Sequence, residues 1–195
     1  SKTKKYLLEH ESISKQDPEW FRQMLTITRV EENGDERKHR EYFDKAVKQY
    51  PDYYPVYFTA AVFYLPKWKG SEESFDQFAK YAGSKLDSRQ AKNIYSRIYW
   101  AEICSECGDR DVSNWRAHWS DLEAGFDEII NEYPDQWNIN SYAHISCMAY
   151  EQEKTLQLME KIISPPMPEA WSGQFNYQYC AKWSGFTKGT NDVAK

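Results

Sequence analysis

The cysteines and histidines of this sequence are its first candidate functional residues, because the spacing of some of them suggests a zinc site. Cys104 and Cys107 form a C-x-x-C pair. His144 stands three residues before Cys147 and could complete a Cys-Cys-His-Cys ligand set with that pair. Both cysteines of the pair, however, fall on an apolar stripe of a predicted helix, where cysteine usually packs as a small hydrophobic residue. We therefore expect no metal and no cofactor.

The remaining histidines give no stronger sign of catalysis. His10 and His39 lie among charged residues, which predicts that both are solvated. His118 stands between Trp115 and Trp119, which favours packing or a cation–π contact of the protonated ring. The sequence also contains no G-x-S-x-G, no H-E-x-x-H and no glycine-rich phosphate loop. We expect no catalytic residue and no enzymatic activity.

The loop around Trp68 has two possible roles. Lys67, Trp68 and Lys69 could bind a small anion together with the backbone amides at the start of the next helix. Alternatively, the loop is structural: Pro66 ends one helix, Trp68 fills a gap between helices and Ser71 caps the next helix. Lys67, Trp68 and Lys69 are therefore candidate binding residues.

A second candidate surface lies on the predicted helix 137–150, which we interpret as amphipathic. Asn140, His144 and Glu151 lie close together in angle on its polar side. If any helix of this chain lines a recognition surface, we expect it to be this one. Asn140, His144 and Glu151 are therefore candidate binding residues as well.

Composition excludes several classes of partner. The chain has 195 residues and a net charge of -5, with 30 acidic against 25 basic residues, which argues against nucleic acid as the main partner. No apolar run approaches the roughly 20 residues that a membrane-spanning helix needs. Aromatic residues make up 16%, which is typical of a folded core. We expect a soluble protein of the cytoplasm or the periplasm; the sequence does not fix its oligomeric state.

Helical signals surround these candidate residues. Glycine and proline are sparse, and apolar residues recur with a helical period, which predicts an all-α chain of about eight helices in a single domain, 1–195. Asp17 before Pro18 is a typical helix start, and Asn33 before Gly34 is a typical stop. The predicted helices run over about 17–33, 35–50, 56–65, 71–83, 88–107, 114 or 120–133, 137–150 and 152–163, and a further helix follows Pro168.

An internal repeat links the two halves of the sequence. Phe43 and Asp44 precede Tyr-Pro-Asp at 50–52, and Phe126 and Asp127 precede the same tripeptide 83 residues later. Each copy predicts a helix, a proline stop and a new helix. Such a hairpin buries its apolar face only against neighbouring helices, as in stacked-repeat proteins.

These residues resemble the tetratricopeptide repeat in its aromatic, small and closing-proline positions. The matching residues of the first copy are Phe43, Ala46, Pro51, Tyr57, Ala61 and Tyr64. The second copy matches only at Phe126 and Pro134. Longer phrases at 53–58, 65–71, 138–143 and 180–183 resemble an uncharacterised bacterial family of tetratricopeptide-like helical proteins. This resemblance implies hairpins stacked into a compact domain and a bacterial source, and it implies no catalytic residue.

The stretch from Val56 to Leu65 is apolar on every face, with no charged residue. A helix of this kind must be enclosed by others. We therefore expect Tyr57, Ala61 and Tyr64 to be almost fully buried, with flanking helices from the N-terminal part of the chain covering them.

Two further cysteines are predicted to lie near each other. Cys147 is in the helix after Pro134 and Cys180 is in the helix after Pro168, at similar distances from each helix start. Helices separated by one intervening helix pack side by side in a tetratricopeptide-like stack. A disulfide would form in the periplasm and two buried thiols would persist in the cytoplasm, and both alternatives stay open.

The sequence favours a non-enzymatic, helical-repeat module that binds a protein partner, because stacked hairpins offer surface without chemistry. An immunity or adaptor protein is one specific form of this hypothesis. One alternative is a hydrolase-type enzyme whose acidic residues assemble in a helical pocket; another is a structural oligomerisation domain. The acids available to such an enzyme include Glu123, Asp127, Glu128 and Asp135.

Overall fold

The computed structural model of the chain describes residues 2–31, 34–68, 70–105, 116–163 and 165–187. These residues form eleven α-helices, and none of them lies in a β-strand, which confirms the all-α prediction. The number of helices exceeds the expected eight, chiefly because two helices precede Asp17. The helices are α1 Lys2–Glu9, α2 Glu11–Ser14, α3 Pro18–Val30, α4 Glu36–Gln49, α5 Tyr54–Ala61, α6 Glu72–Gly83, α7 Ser88–Ser105, α8 Trp119–Glu132, α9 Gln136–Met148, α10 Gln152–Met159 and α11 Tyr177–Ser184.

The chain divides into two compact units, Ser1–Glu102 and Ile103–Lys195. The first unit contains α1 to α6 and most of α7. The second contains α8 to α11 together with short 3-10 turns at Pro168–Ala170 and Gly173–Phe175. The prediction of one domain over 1–195 stays a prediction.

Side-chain caps explain where the predicted helices begin. The Asp17 carboxylate accepts a hydrogen bond from the amide of Glu19 at 2.9 Å, and α3 begins at Pro18. Asp35 caps α4 in the same way. Each cap satisfies a backbone amide that has no partner within the first helical turn. These local interactions are readable from sequence, and the predicted starts are confirmed.

The core of the first unit encloses α5, as predicted. Helix α5 packs against α3 and α4, and a 3-10 turn at Val62–Tyr64 continues it. Tyr57, Ala61 and Tyr64 are at most 3% exposed. The Phe43 ring lies edge-on to the Tyr57 ring, with centroids 5.5 Å apart. Burial of these rings is the dominant favourable contribution to this packing.

His39 is a buried part of this core, so the prediction that it is solvated is wrong. Its Nε2 donates to the Ala60 carbonyl at 3.1 Å, and Thr28 lies 2.7 Å from its Nδ1. Since the carbonyl can only accept, Nε2 carries the proton. In the neutral ring Nδ1 then accepts from the Thr28 hydroxyl, which also lies 2.9 Å from the Leu25 carbonyl. Burial lowers the pKa of His39 to about 4. The imidazole is therefore neutral at pH 7 and joins α3, α4 and α5. By contrast, His10 is exposed, as expected.

The sequence repeat is present as local structure. Helix α8 begins and ends 83 residues after the beginning and end of α4. Tyr50 follows α4 with a φ of -135° and a ψ of 66°. Tyr133 follows α8 with a φ of -129° and a ψ of 75°. The Tyr50 amide donates to the Ala46 carbonyl at 2.7 Å, and the Tyr133 amide donates to the Ile129 carbonyl at 2.8 Å. The repeated residues therefore specify the same helix and the same exit. Regular tetratricopeptide-like stacking stays a prediction.

The repeated aspartates also make matching interactions. Asp44 accepts from the Tyr81 hydroxyl at 2.7 Å and pairs with Lys85 at 3.0 Å. Asp127 accepts from the Tyr142 hydroxyl at 3.0 Å and pairs with Lys154 at 3.0 Å. Each aspartate thus holds a tyrosine and a lysine from outside its own helix.

In the second unit, α9 packs against α10 and α11. A disulfide joins Cys147 of α9 to Cys180 of α11, with their Cα atoms 5.8 Å apart. The predicted proximity is confirmed, and both sulfurs are buried. The bond closes a loop with a sequence separation of 33 residues.

We predict that the disulfide stabilises the protein by about 3 to 4 kcal/mol, because it restricts the unfolded chain over that loop. Denaturant unfolding of the wild type with and without a dithiol reductant measures this difference. The double variant C147A/C180A is the control: it should unfold at the same denaturant concentration with or without reductant. Alkylation and mass spectrometry that find four free thiols in oxidised, folded protein would contradict the bond.

We also predict that stability falls as pH is lowered from about 6.5 to about 4. The pKa of His39 is lower in the folded chain than the ordinary value of 6.5, so the unfolded chain binds more protons in this range. The difference corresponds to about 3 kcal/mol at most. Urea unfolding across this range should show a shallower pH dependence in His39→Gln, whereas His10→Gln should match the wild type. An NMR titration of the His39 ring checks the same pKa directly, and an ordinary value there would refute the prediction.

Candidate functional site

The polar face predicted on α9 is not exposed. Residues 138–148 are all buried, and Asn140 and His144 are 0% and 4% exposed. The prediction that they form a recognition surface is wrong, because the 3-10 turns at 168–170 and 173–175 pack over α9. Glu151 is half-buried just before α10, and its side chain makes no capping hydrogen bond.

Asn140 and His144 hold the covering segment instead. The Asn140 side-chain oxygen accepts from the Met167 amide at 3.2 Å and from the Trp171 indole at 3.0 Å. The centroid of the His144 ring lies 5.5 Å from the centroid of the Trp171 ring. Burial lowers the pKa of His144 to about 4, so this ring is also neutral at pH 7.

The arrangement around His144 does not resemble a catalytic acid–base site. Its Nε2 is buried and has no hydrogen-bond partner, and within the described ranges no carboxylate forms an ion pair with it. Glu123 and Asp127 both pair with Lys154, at 2.9 and 3.0 Å. Asp135 caps α9 through the amide at residue 138. These acids therefore stabilise helices and ion pairs.

The cysteine and tryptophan predictions are only partly covered by the structure. Cys107, Trp115 and the side chain of Cys104 lie outside the described residues. Cys147 is bonded to Cys180, so its sulfur is not available as a thiolate ligand. In the part of the chain that is described, no three His, Cys, Asp or Glu side chains are grouped as a metal site would require.

The loop around Trp68 is built by close backbone contacts. The Leu65 carbonyl accepts from the amides of Trp68 and Gly70, at 2.9 and 3.2 Å. Ser71 and Ser74 then form a reciprocal capping box at the start of α6. The structural role predicted for Ser71 is confirmed. Lys69 lies outside the described residues.

Gly70 allows this loop to lie close to the preceding 3-10 turn. A Cβ atom at this position would lie 2.0 Å from the Tyr64 carbonyl oxygen and 2.5 Å from the Ser74 hydroxyl. The neighbouring backbone leaves no space for a side chain. Gly70 therefore allows the backbone of the loop that carries Lys67 and Trp68 to pack directly against the 3-10 turn.

Arg29, at the end of α3, is the functional candidate that sequence reasoning missed. Its guanidinium lies over the Trp68 ring, 4.7 Å from the centroid. Burial lowers the pKa of Arg29. Its Nε is buried without a hydrogen-bond partner, and no described residue forms an ion pair with it. A half-buried cation without a counter-ion is uncommon because its desolvation is not offset by an opposite charge.

Together with Arg29, the neighbouring residues Lys67 and Trp68 form a group that we call the Arg29–Trp68 site. The Lys67 ammonium lies 3.5 Å from the buried carboxylate of Glu102 and also faces solvent. Trp68 is 41% exposed, so the prediction that it fills a gap between helices is wrong in part. The site offers positive charge, hydrogen-bond donors and an aromatic face, but no nucleophile. Its chemistry suits the binding of a carboxylate or phosphate.

Comparison of the chain with protein-family models, with curated proteins and with solved structures finds no match. The resemblance to a bacterial helical family stays a prediction. Of the helices in the described ranges, none combines the length and apolar character required to cross a membrane.

We predict that Gly70→Ala lowers the free energy of unfolding by about 1 to 3 kcal/mol, because the new methyl group overlaps backbone atoms of Tyr64. Thermal or urea unfolding measures the loss. Gly83→Ala is the matched control, since its new Cβ would lie 3.1 Å from the nearest atom and should cost less. Equal stability of Gly70→Ala and the wild type would show that the loop does not need this close approach.

Proposed function

We propose that this chain is a non-enzymatic binding module that binds an acidic segment of a partner protein at the Arg29–Trp68 site. The observation that carries the proposal is the half-buried guanidinium of Arg29, which has no counter-ion among the described residues and lies over an exposed ring. A carboxylate of the partner supplies the missing charge and accepts from the free guanidinium donors.

The residue types of the site also suit a protein interface. Arginine and tryptophan are enriched among the residues that contribute most to binding energy. The exposed part of Trp68 provides apolar surface for a side chain next to the bound carboxylate, and Lys67 adds a second positive charge. The chain itself is acidic, with a net charge of -5, so an acidic partner is attracted only locally. This favours a short acidic segment over a broad acidic face.

The interactions of the other titratable residues support binding over catalysis. His39 and His144 are buried and neutral at pH 7, because burial lowers the pKa of each to about 4. Glu123 and Asp127 are engaged by Lys154. An immunity or adaptor protein, which acts by covering another protein, is the form of module that fits this pattern.

The compartment is part of the proposal. Disulfides persist in oxidising environments and are rare in the cytoplasm. The Cys147–Cys180 bond therefore supports a location in the periplasm or outside the cell.

A defined peptide pair tests the proposal. The probe is a fluorescein-labelled heptapeptide with four glutamates around a central tyrosine, and its counterpart carries glutamine in place of glutamate. We expect fluorescence anisotropy to show binding of the acidic peptide, at least about tenfold tighter than the glutamine peptide. Arg29→Gln and Trp68→Ala should each weaken binding by about tenfold.

Arg37→Gln is the matched control, because Arg37 is a surface arginine of the same unit whose side chain is 84% exposed. It should bind like the wild type. Circular dichroism of each variant establishes that it is folded. The proposal is wrong if the two peptides bind equally, if neither binds, or if Arg29→Gln binds as tightly as the wild type.

A further inference from the structure

Tyr150, in the second unit, has a backbone conformation that tyrosine rarely adopts. Its φ is 58°, and among the described residues it is the only one other than glycine with a positive φ. It stands just after α9, where its amide donates to the Cys147 carbonyl at 3.1 Å and the Glu151 amide donates to the Ser146 carbonyl at 3.0 Å. This is the Schellman ending of a helix, in which the left-handed position is usually glycine. Backbone strain of this kind is concentrated at functional sites, which draws attention to the Tyr150 side chain.

The core uses the Tyr150 side chain only in part. Its ring lies edge-on to the rings of Phe175 and Trp183, with centroids 5.8 and 6.1 Å away, yet the residue is 51% exposed. A glycine would remove the backbone strain, and a half-exposed ring gains only part of the free energy of burial in return. The exposed part of the ring is therefore available to a ligand.

Tyr150 belongs to a group of surface rings that we call the aromatic platform, formed by Tyr150, Tyr179 and Trp183. Tyr179 is 42% exposed and Trp183 is half-buried. Tyr179 and Trp183 are four residues apart on α11, which places them on one face of that helix. The buried ring of Phe175 contacts both Tyr150 and Tyr179, with centroids 5.8 and 5.7 Å away.

Two links hold the platform in place. The disulfide between Cys147 and Cys180 joins the end of α9, just before Tyr150, to α11. The Gln152 side-chain nitrogen donates to the Trp183 carbonyl at 2.9 Å. The rings from the two segments therefore keep a fixed relative position without a ligand, which lowers the entropic cost of binding.

A carboxylate lies beside the platform. Glu151 directly follows Tyr150 and is half-buried, and among the described residues its side chain has no hydrogen-bond or ion-pair partner. The other charged side chains within four residues of the platform are Glu153, Lys154 and Lys182. Glu153 and Lys182 are exposed, and Lys154 is engaged by acids of α8. The half-buried charge next to the rings is therefore negative, which favours a cation.

We propose that the aromatic platform binds a small organic cation with a trimethylammonium group, of the class of choline. The faces of tryptophan and tyrosine rings attract cations, and Glu151 supplies the opposite charge. A quaternary ammonium has no N–H donors, so aromatic faces can replace its weak hydration. A primary ammonium is strongly hydrated and would lose hydrogen bonds to water at the same rings. This site lies in the second unit, and its binding is independent of the function proposed for the Arg29–Trp68 site.

An NMR titration of the full chain with choline, followed at the Trp183 indole resonance, tests the proposal. We expect a saturable shift. The neutral alcohol 3,3-dimethylbutan-1-ol has the shape of choline without its charge, and it should bind at least about tenfold more weakly. Ethanolamine, which carries a primary ammonium in place of the trimethylammonium group, should also bind more weakly than choline.

Tyr150→Gly separates binding from folding, because glycine suits the left-handed backbone while the ring is lost. Circular dichroism should show a folded chain, and choline binding should weaken at least about fivefold. Glu151→Gln should weaken binding to a similar extent. Glu160→Gln, an exposed glutamate at the other end of α10, is the matched control and should bind within about twofold of the wild type. Arg29→Gln should bind choline normally, which separates this site from the other.

The other outcomes would overturn the proposal. Equal binding of choline and 3,3-dimethylbutan-1-ol would reduce the platform to an apolar patch. Unchanged binding by Tyr150→Gly or Glu151→Gln would show that the ring or the carboxylate does not hold the cation. Absence of a saturable shift would exclude a choline site. Binding to phosphatidylcholine vesicles without binding of free choline would identify a lipid surface as the ligand instead.

Discussion

The buried, neutral imidazole of His39 is the interaction on which the first unit depends. It joins three helices through Thr28 of α3 and the Ala60 carbonyl of α5, and its ring stacks on Phe63 at 4.3 Å. Arg29 directly follows Thr28, and the loop that carries Trp68 directly follows the 3-10 turn that contains Phe63. The contact between Arg29 and Trp68 therefore joins two segments that both adjoin residues in contact with His39.

Polar groups inside this unit are generally satisfied, which is why Arg29 stands out. Asp76 is buried, yet it accepts from the hydroxyls of Tyr95 and Tyr99 at 2.7 and 2.9 Å and pairs with Lys80 at 2.7 Å. Such a carboxylate remains charged because several donors replace the water it has lost. Among the described residues, Arg29 contacts the face of the Trp68 ring and forms no ion pair. Since the other buried charges described in this unit lie next to an opposite charge, the lack of one at Arg29 supports the binding proposed for it.

Much of the fold was predictable because its signals are local. Asp17 and Asp35 cap helices that begin at the next residue, and an apolar run without charge predicts an enclosed helix. The burial of His39 also had a signal, because His39, Phe43 and Ala46 recur with helical period on one face of α4. The charged residues that follow His39 in sequence obscured it. The contact between Arg29 and Trp68 had no such signal, since it joins residues 39 positions apart.

The burial of α9 follows from how the second copy of the repeat departs from the first. Asn140 occupies the position equivalent to Tyr57, whose hydroxyl donates to the Pro51 carbonyl at 2.9 Å. In the second copy Tyr142 provides the ring instead, and it stacks on Phe126 with centroids 4.9 Å apart. The side-chain oxygen of Asn140 instead accepts from the Met167 amide and the Trp171 indole, which holds the covering segment on α9. A shift of the ring by two positions thus changes a face that looks exposed in sequence into one that is buried.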